Sequence, residues 1–199
     1  MYKYKKFWFP ENDKETPPAV NNEWKQKGKV VLSFVKNKNV VVQAGANAGF
    51  FPINLAKSFH KVITFEPIPY IWDCLVKNIN DRPHIDNITF YNKGVGSQNS
   101  VGSQDLKRKK NSGASSIKYD VSGNIEIVTI DSLELEGMDL LWLDIEGFEV
   151  EALIGAKKTI QKYKPVIVLE NKGLIKGWGG DLNGSKKLVR WMKTEFNYN

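Results

Sequence analysis

The apolar positions of this chain fall into short unbroken runs, with segments of helical period between them. Val40-Val41-Val42, Lys61 to Glu66, Asn87 to Asn92, Leu140-Leu141-Trp142-Leu143 and Val166 to Glu170 are three to six residues long and rich in β-branched or large apolar side chains. Runs of this kind predict strands buried on both faces, as in a parallel sheet. Ile71, Cys74, Leu75 and Ile79 recur at helical spacing and predict a helix from about Tyr70 to Asn80. Val150, Leu153, Ile154 and Ile160 predict one further helix, stopped at Lys164-Pro165. Asn21 to Lys36 and Lys186 to Glu195 read as helices by the same rule. Strand and helix alternate, so the expected fold is α/β, a three-layer doubly wound, mostly parallel sheet.

The remaining segments are less periodic. Phe7-Trp8-Phe9-Pro10 predicts an aromatic arm packed on the domain or lidding a ligand, followed by a polar loop from Glu11 to Pro18. Residues 1–38 thus read as an arm and helix, and residues 39–199 as one globular unit. Residues 97–124 are rich in Ser, Gly, Lys and Asn and read as a loop insertion holding at most a short hairpin. Ile125 to Ile130 reads as a further strand, and Gly173 to Gly184 as a glycine-rich loop with Trp178 and Asp181.

The first core strand breaks into Gly45-Ala46-Asn47-Ala48-Gly49 before a helix begins at Phe50. Glycines let the backbone approach a ligand closely, and the helix that follows directs free amides at a carboxylate or phosphate. The second strand ends on Glu66-Pro67, 21 positions after Gly45. At that spacing a βαβ unit sets a carboxylate where ribose hydroxyls can donate to it. The loop is neither Gly-x-Gly-x-x-Gly nor a P-loop, so no pyrophosphate cradle is present. A nucleoside with a small charged tail remains, and S-adenosylmethionine fits that description.

Ligands of such sheets lie across the carboxyl ends of the strands. There Asp144-Ile145-Glu146-Gly147-Phe148-Glu149 follows the most apolar strand. Carboxylates packed this closely repel unless a cation, hydroxyl or sulfonium relieves them. Alternatively, Glu146 and Glu149 serve the N-terminus of the next helix. Methyl transfer to an alcohol needs one base, and Asp144 and Glu146 are the candidates for that role. Gly94-Val95-Gly96 reads either as a plain turn or as a glycine turn bordering the same crevice, with Val95 against an adenine. His60 and His84 read as incidental.

These motifs resemble a class I, Rossmann-like S-adenosylmethionine-dependent methyltransferase, and within that class the FkbM family. The matching segments are Val42 to Gly49, Phe65-Glu66-Pro67, Gly113 to Ile117, Asp131-Ser132-Leu133, Leu143 to Glu149 with Leu153 to Ala156, and Pro165 to Glu170. The resemblance implies methyl transfer to a hydroxyl of a sugar or glycosylated small molecule, with S-adenosylhomocysteine as product. It implies that Gln43, Gly45, Ala46, Asn47, Gly49 and Phe50 meet the methionine end of the cofactor. Glu66 and Pro67 would meet the ribose. Gln43 stands where an acidic residue is usual, and Trp142 where a lysine often is. The sequence also leaves little after its last helix for the antiparallel hairpin of class I sheets.

Composition adds a rival. The 199 residues carry 41% hydrophobic and 26% charged side chains, which fits one globular domain. Net charge is +7, and Lys107-Arg108-Lys109-Lys110 is a dense basic run. This favours an anionic partner and keeps a nucleic-acid methyltransferase, acting on an RNA 2'-hydroxyl or on DNA, as the alternative. A non-catalytic cofactor-binding module is the third reading. The single Cys74 excludes an internal disulfide, and no Cys/His cluster points to zinc. No metal is predicted, although a divalent ion between Asp144 and Glu146 is compatible with their chemistry. No apolar run reaches the length of a membrane span, which is about 20 residues. A cytoplasmic location is expected, and the lysine- and asparagine-rich make-up suits a phage. The oligomeric state stays open.

Overall fold

In chain order, the computed structural model begins with a hairpin of β1 (Tyr2–Tyr4) and β2 (Phe7–Phe9), then α1 (Thr16–Glu23). A π-helical turn, Trp24–Gly28, leads directly into α2 (Lys29–Phe34). The central unit follows as β3 (Val40–Ala44), α3 (Phe50–Leu55), β4 (Lys61–Phe65), α4 (Pro69–Asn80) and β5 (Ile88–Tyr91). Next come β6 (Gly94–Val95), β7 (Ser100–Asp105), β8 (Ser116–Tyr119) and β9 (Ile125–Val128). The chain closes with β10 (Leu140–Leu143), α5 (Glu149–Ile154), α6 (Lys157–Tyr163), β11 (Val166–Leu169) and α7 (Leu182–Phe196). The structure describes residues 1–105, 112–170 and 182–198.

Five strands form a parallel sheet in the order β11-β10-β3-β4-β5. The chain winds outward from β3 on one side, then returns to start again at β10. The order therefore reverses between β3 and β10, where a crevice opens above the strand ends. Alternation along the strands sorts the two faces. Val42, Ala44, Ile63, Phe65, Leu141 and Leu143 pack with Leu153, Ile160 and Phe196 from α5, α6 and α7. Val41, Val62, Leu140 and Trp142 pack with Phe51 and Leu55 of α3 and with Trp24, Val31 and Leu32. The indole of Trp142 stacks 6.3 Å from that of Trp24 and meets the Phe51 ring at 5.1 Å.

Four segments depart from the sequence-based expectation. The first helix begins at Thr16, ahead of the expected Asn21, because prolines are tolerated in a first turn. There the Asp13 carboxylate accepts from the amides of Glu15 and Thr16. Residues 97–124 are more than a loop, since β7 and β8 pair antiparallel and β9 joins β7 in a second sheet ordered β6-β9-β7-β8. Ile125 to Val128 therefore belongs to that small sheet, where Ile125 and Ile127 pack on Ile68 and Ile71. The single helix expected after β10 is split in two, because Asp131 caps a new start by accepting from Lys158 and Thr159 amides at 3.0 and 2.8 Å. The glycine-rich loop expected over Gly173 to Gly184 lies outside the described residues up to Asp181, and its last three positions already belong to α7, which starts at Leu182 ahead of the expected Lys186. The Lys107–Lys110 run also lies outside the described residues.

Candidate functional site

The loop after β3 is fastened from below. Gly45 and Ala46 donate their amides to the Phe65 carbonyl at 3.1 and 2.9 Å, tying the loop to the end of β4. Gln43 sits beneath, 1% exposed, with its amide donating to the carbonyls of Ala44 and Gly45 and its oxygen accepting from Thr64. Its side chain braces the loop and does not line the crevice. Gly49 likewise stands behind, at the start of α3, where its amide reaches the Ala46 carbonyl at 2.9 Å.

Glu66 joins two loops. One carboxylate oxygen accepts from the Asn47 amide and the other from the Ile68 amide, both at 2.9 Å. Burial pushes its carboxyl from the ordinary 4.5 up to about 7, against the lowering effect of those two amides. The folded chain therefore keeps this proton to about pH 7, whereas the unfolded chain releases it near 4.5. The associated stability is complete below pH 4.5 and lost as the pH rises to about 7. With no cofactor present, denaturant unfolding should show the wild type losing ~2 kcal/mol between about pH 5 and 8 relative to Glu66→Gln. Equal pH slopes for the two proteins would remove Glu66 as the source.

A second buried glutamate organises the turn after β10. Glu149 is fully buried and accepts from the amides of Ile145 at 3.0 Å and Gly147 at 2.9 Å. Burial raises its carboxyl above the ordinary value. The turn leaves Asp144, Ile145, Glu146 and Phe148 against the crevice. One carboxylate oxygen from each of Asp144, Glu146 and Glu170 lies within 4.8 Å of the others. Glu170, which its position at a strand end alone did not distinguish, thus joins the two predicted acids.

The walls close around a cavity of about 810 Å³, open mouth included. Ala44 to Asn47, Phe50, Phe65 to Ile68, Gly94-Val95 and Asp144 to Glu146 all contribute to it. Of the predicted residues, Gly45, Ala46, Asn47, Phe50, Glu66, Pro67, Val95, Asp144 and Glu146 meet there, while Gln43 and Gly49 do not. The opposite wall is made by Phe9, from the arm expected to pack on the domain or lid a ligand, by Gly113 and Ser115 to Ile117 of the matching segment, and by Thr16, Val20 and Ser112, which sequence reasoning missed. A buried polar knot holds it. The Ser112 hydroxyl donates to Asp13, the Asn47 side chain donates to Ser112 at 3.1 Å, and the Gly113 amide donates to the Thr16 hydroxyl at 3.0 Å. These partners lie 65 to 99 positions apart in sequence, which no local pattern reveals.

This crevice fits a nucleoside cofactor. Val95, Ile68 and Ile117 give apolar cover, and each oxygen of Glu66 retains a lone pair for a ribose hydroxyl beyond the amide it already accepts.

The sequence model of one family, described as the methyltransferase FkbM domain, matches residues 43–198. Methyltransferase FkbM from Methylobacillus flagellatus KT has a similar fold, with TM-score 0.55 and 19% identity over 79% of this chain and 37% of that one. Precorrin-6y C5,15-methyltransferase from Geobacter metallireducens GS-15 does too, with TM-score 0.50 and 14% identity over 96% of this chain and 81% of that one. The chain thus spans little more than a third of the first of these proteins. No curated protein sequence matches it. Among the described residues, no helix is long and apolar enough to cross a membrane.

Proposed function

The chain belongs to the FkbM methyltransferase family, and from that footing we propose that it moves the methyl group of S-adenosylmethionine to a hydroxyl oxygen of a sugar or glycosylated small molecule. The observation that carries this reading is the meeting of two carboxylate-bearing loops at the switch point, Glu66 on one side of the crevice and Asp144 with Glu146 on the other. Bound there, the cofactor would supply an electrophilic methyl on a sulfonium, which would pass to the acceptor oxygen as that hydroxyl gives up its proton.

The chain's own residues hold and align. Glu66 accepts from the ribose, the Gly45–Asn47 loop meets the methionine end, and Val95 with Ile68 covers the base. Asp144 takes the acceptor proton, with Glu146 and Glu170 offering neighbouring oxygens to which it can pass. Positioning of the acceptor oxygen in line supplies most of the remaining acceleration. Phe9, Thr16 and Val20 exclude water from that side of the cavity.

Calorimetric titration with S-adenosylmethionine and S-adenosylhomocysteine, followed by labelled-methyl transfer onto a panel of sugars, tests the reading. A folded wild type that binds neither compound would overturn it. Asp144→Asn should lower transfer by roughly a hundredfold or more, the range for loss of a general base, and leave S-adenosylhomocysteine affinity within about tenfold. Unchanged transfer in that variant would move the base elsewhere.

A further inference from the structure

The N-terminal hairpin carries charge that the methyl-transfer site does not use. Lys3, Lys5, Lys6 and Lys14 are exposed, and Lys77 and Arg82 reach the hairpin from α4 and the turn after it. All but Lys6 lie over an aromatic ring, Lys14, Lys5 and Arg82 on the Tyr2, Tyr4 and Phe7 side of the hairpin and Lys3 and Lys77 on the Trp8 side. The Lys14 ammonium lies 3.4 Å from the centre of the Tyr2 ring, and that of Lys5 lies 5.5 Å from Tyr4. Lys3 and Lys77 lie 5.3 and 4.8 Å from Trp8, and Arg82 lies 4.1 Å from Phe7. The Arg82 guanidinium also donates to the Lys6 carbonyl.

A ring holds a cation in place without cancelling its charge, which an ion pair would do. Among the described residues, Lys3, Lys5, Lys6, Lys14 and Arg82 make no ion pair. The nearby acids are engaged. Glu11 binds the N-terminal amine at 3.0 Å, Asp81 accepts from Lys77 and from the Trp8 indole, and Asp13 is buried in the knot described above. The hairpin surface therefore carries more cations than acids, with Glu11 beside Lys14 and Asp81 beside Lys3 and Arg82 as its nearest counter-charges. Its inner side, where Lys14, Lys5 and Arg82 lie over Tyr2, Tyr4 and Phe7, borders the cavity, since Phe9 lines that cavity and Phe7 packs 5.0 Å from Phe50, which lines it too.

We propose that this surface binds the anionic groups of an acidic sugar chain, carboxylate- or sulfate-bearing, while a hydroxyl of the same chain enters the cavity. The proposal rests on the hydroxyl-acceptor reading above. The occupied rings decide between partners. Surfaces for single-stranded nucleic acid offer open rings on which bases stack, and membrane-surface elements offer rings to the lipid. Here Tyr2, Tyr4, Phe7 and Trp8 are half-buried and each already carries a cation. What stays available is charge alone.

The test is fluorescence anisotropy of the full chain with labelled oligomers of polygalacturonate and of heparin, against neutral dextran and a single-stranded RNA of matched length. Binding to either acidic sugar but not to dextran is expected, and the oligomer preferred tells carboxylate from sulfate. About four ionic contacts should weaken binding tenfold to a hundredfold between about 50 and 200 mM salt, through counterion release. The triple variant Lys3→Gln, Lys5→Gln, Lys6→Gln should lose at least about tenfold in affinity by the same count of contacts. Its S-adenosylhomocysteine affinity should stay as in wild type, which reports that the site is folded. If the triple variant fails that control, Lys14→Gln alone is read for a smaller loss. RNA bound as tightly as the acidic sugars, no binding to either sugar at low salt, or a folded variant that binds like wild type would each overturn the proposal. Failure of wild type to bind S-adenosylhomocysteine would overturn the methyl-transfer reading instead, and the sugar-binding result would still stand.

Discussion

Glu66→Ala is expected to weaken S-adenosylhomocysteine binding by roughly a hundredfold or more. Each hydroxyl donated to a carboxylate contributes about 1.5–3 kcal/mol, and a ribose offers two such hydroxyls. The variant also frees the amides of Asn47 and Ile68, so the two loops that the carboxylate joins lose their shared anchor. Calorimetry on wild type, Glu66→Gln and Glu66→Ala measures the combined loss. Glu66→Gln keeps the side-chain volume but turns one acceptor into a donor that faces a backbone N–H. It should therefore bind nearly as poorly as Glu66→Ala. With the carboxyl held near 7 by burial, hydroxyl donors favour its ionised form, so binding near neutral pH should release a proton. Wild-type affinity should rise with pH up to about 7 and then level off, and the variants should show no such rise. Wild-type-like binding by Glu66→Ala would place the ribose elsewhere.

The second large effect concerns Gly45. Its φ is +85°, and a Cβ built there would lie 1.8 Å from the Asp144 carbonyl oxygen. That atom is backbone at the end of a central strand, so it cannot swing aside. Gly45→Ala must separate the β3 loop from the β10 turn at the crevice itself. Left-handed strain of about 1–2 kcal/mol and overpacking of about 1–3 kcal/mol add to an expected loss near 3 kcal/mol. For a domain of this size the melting temperature should fall by roughly 6–12 °C. Gly147→Ala is the matched control. Gly147 also has a positive φ, +103°, but a Cβ there meets nothing within 4 Å. It should lose only the strain, about 1–2 kcal/mol. If the two variants melt alike, close packing at Gly45 contributes nothing to stability.

What the sequence disclosed and what it hid follow from how far apart the interacting residues lie. The loops after β3 and β10 and the acid ending β4 were legible, because unbroken apolar runs mark buried strands and the fold dictates where their carboxyl ends meet. Even there, position was clearer than role. Gln43 falls in the matching motif, yet it sits under the loop, where main-chain carbonyls use its amide. Trp142 was legible as a departure, but only packing shows it stacked on Trp24 and against Phe51. Glu149 read as one more acid beside a helix, and its two amide partners show that it shapes the turn. The small second sheet was legible only in part, because Ile125 to Val128 alternates and reads as a strand, whereas β7 and β8 are short and polar and carry no apolar pattern that shows them joining it. Asp13, Thr16 and Ser112 had no local signature at all. They acquire a role only when residues almost a hundred positions apart are brought to one buried point.

The strand order carries a further consequence, for how the protein is made. β10 lies in the middle of the sheet, beside β3, yet it is translated after β3, β4, β5 and the whole small sheet. When the first three strands emerge from the ribosome, one long edge of β3, with Val40, Val41 and Val42 along it, has no neighbour. At typical elongation speeds roughly a hundred residues of synthesis keep that edge open for on the order of ten seconds. An apolar, unpaired edge is a template for strands of other chains. The feature that places the crevice at the centre of the finished sheet therefore also sets its most vulnerable moment, between the birth of β3 and the arrival of β10.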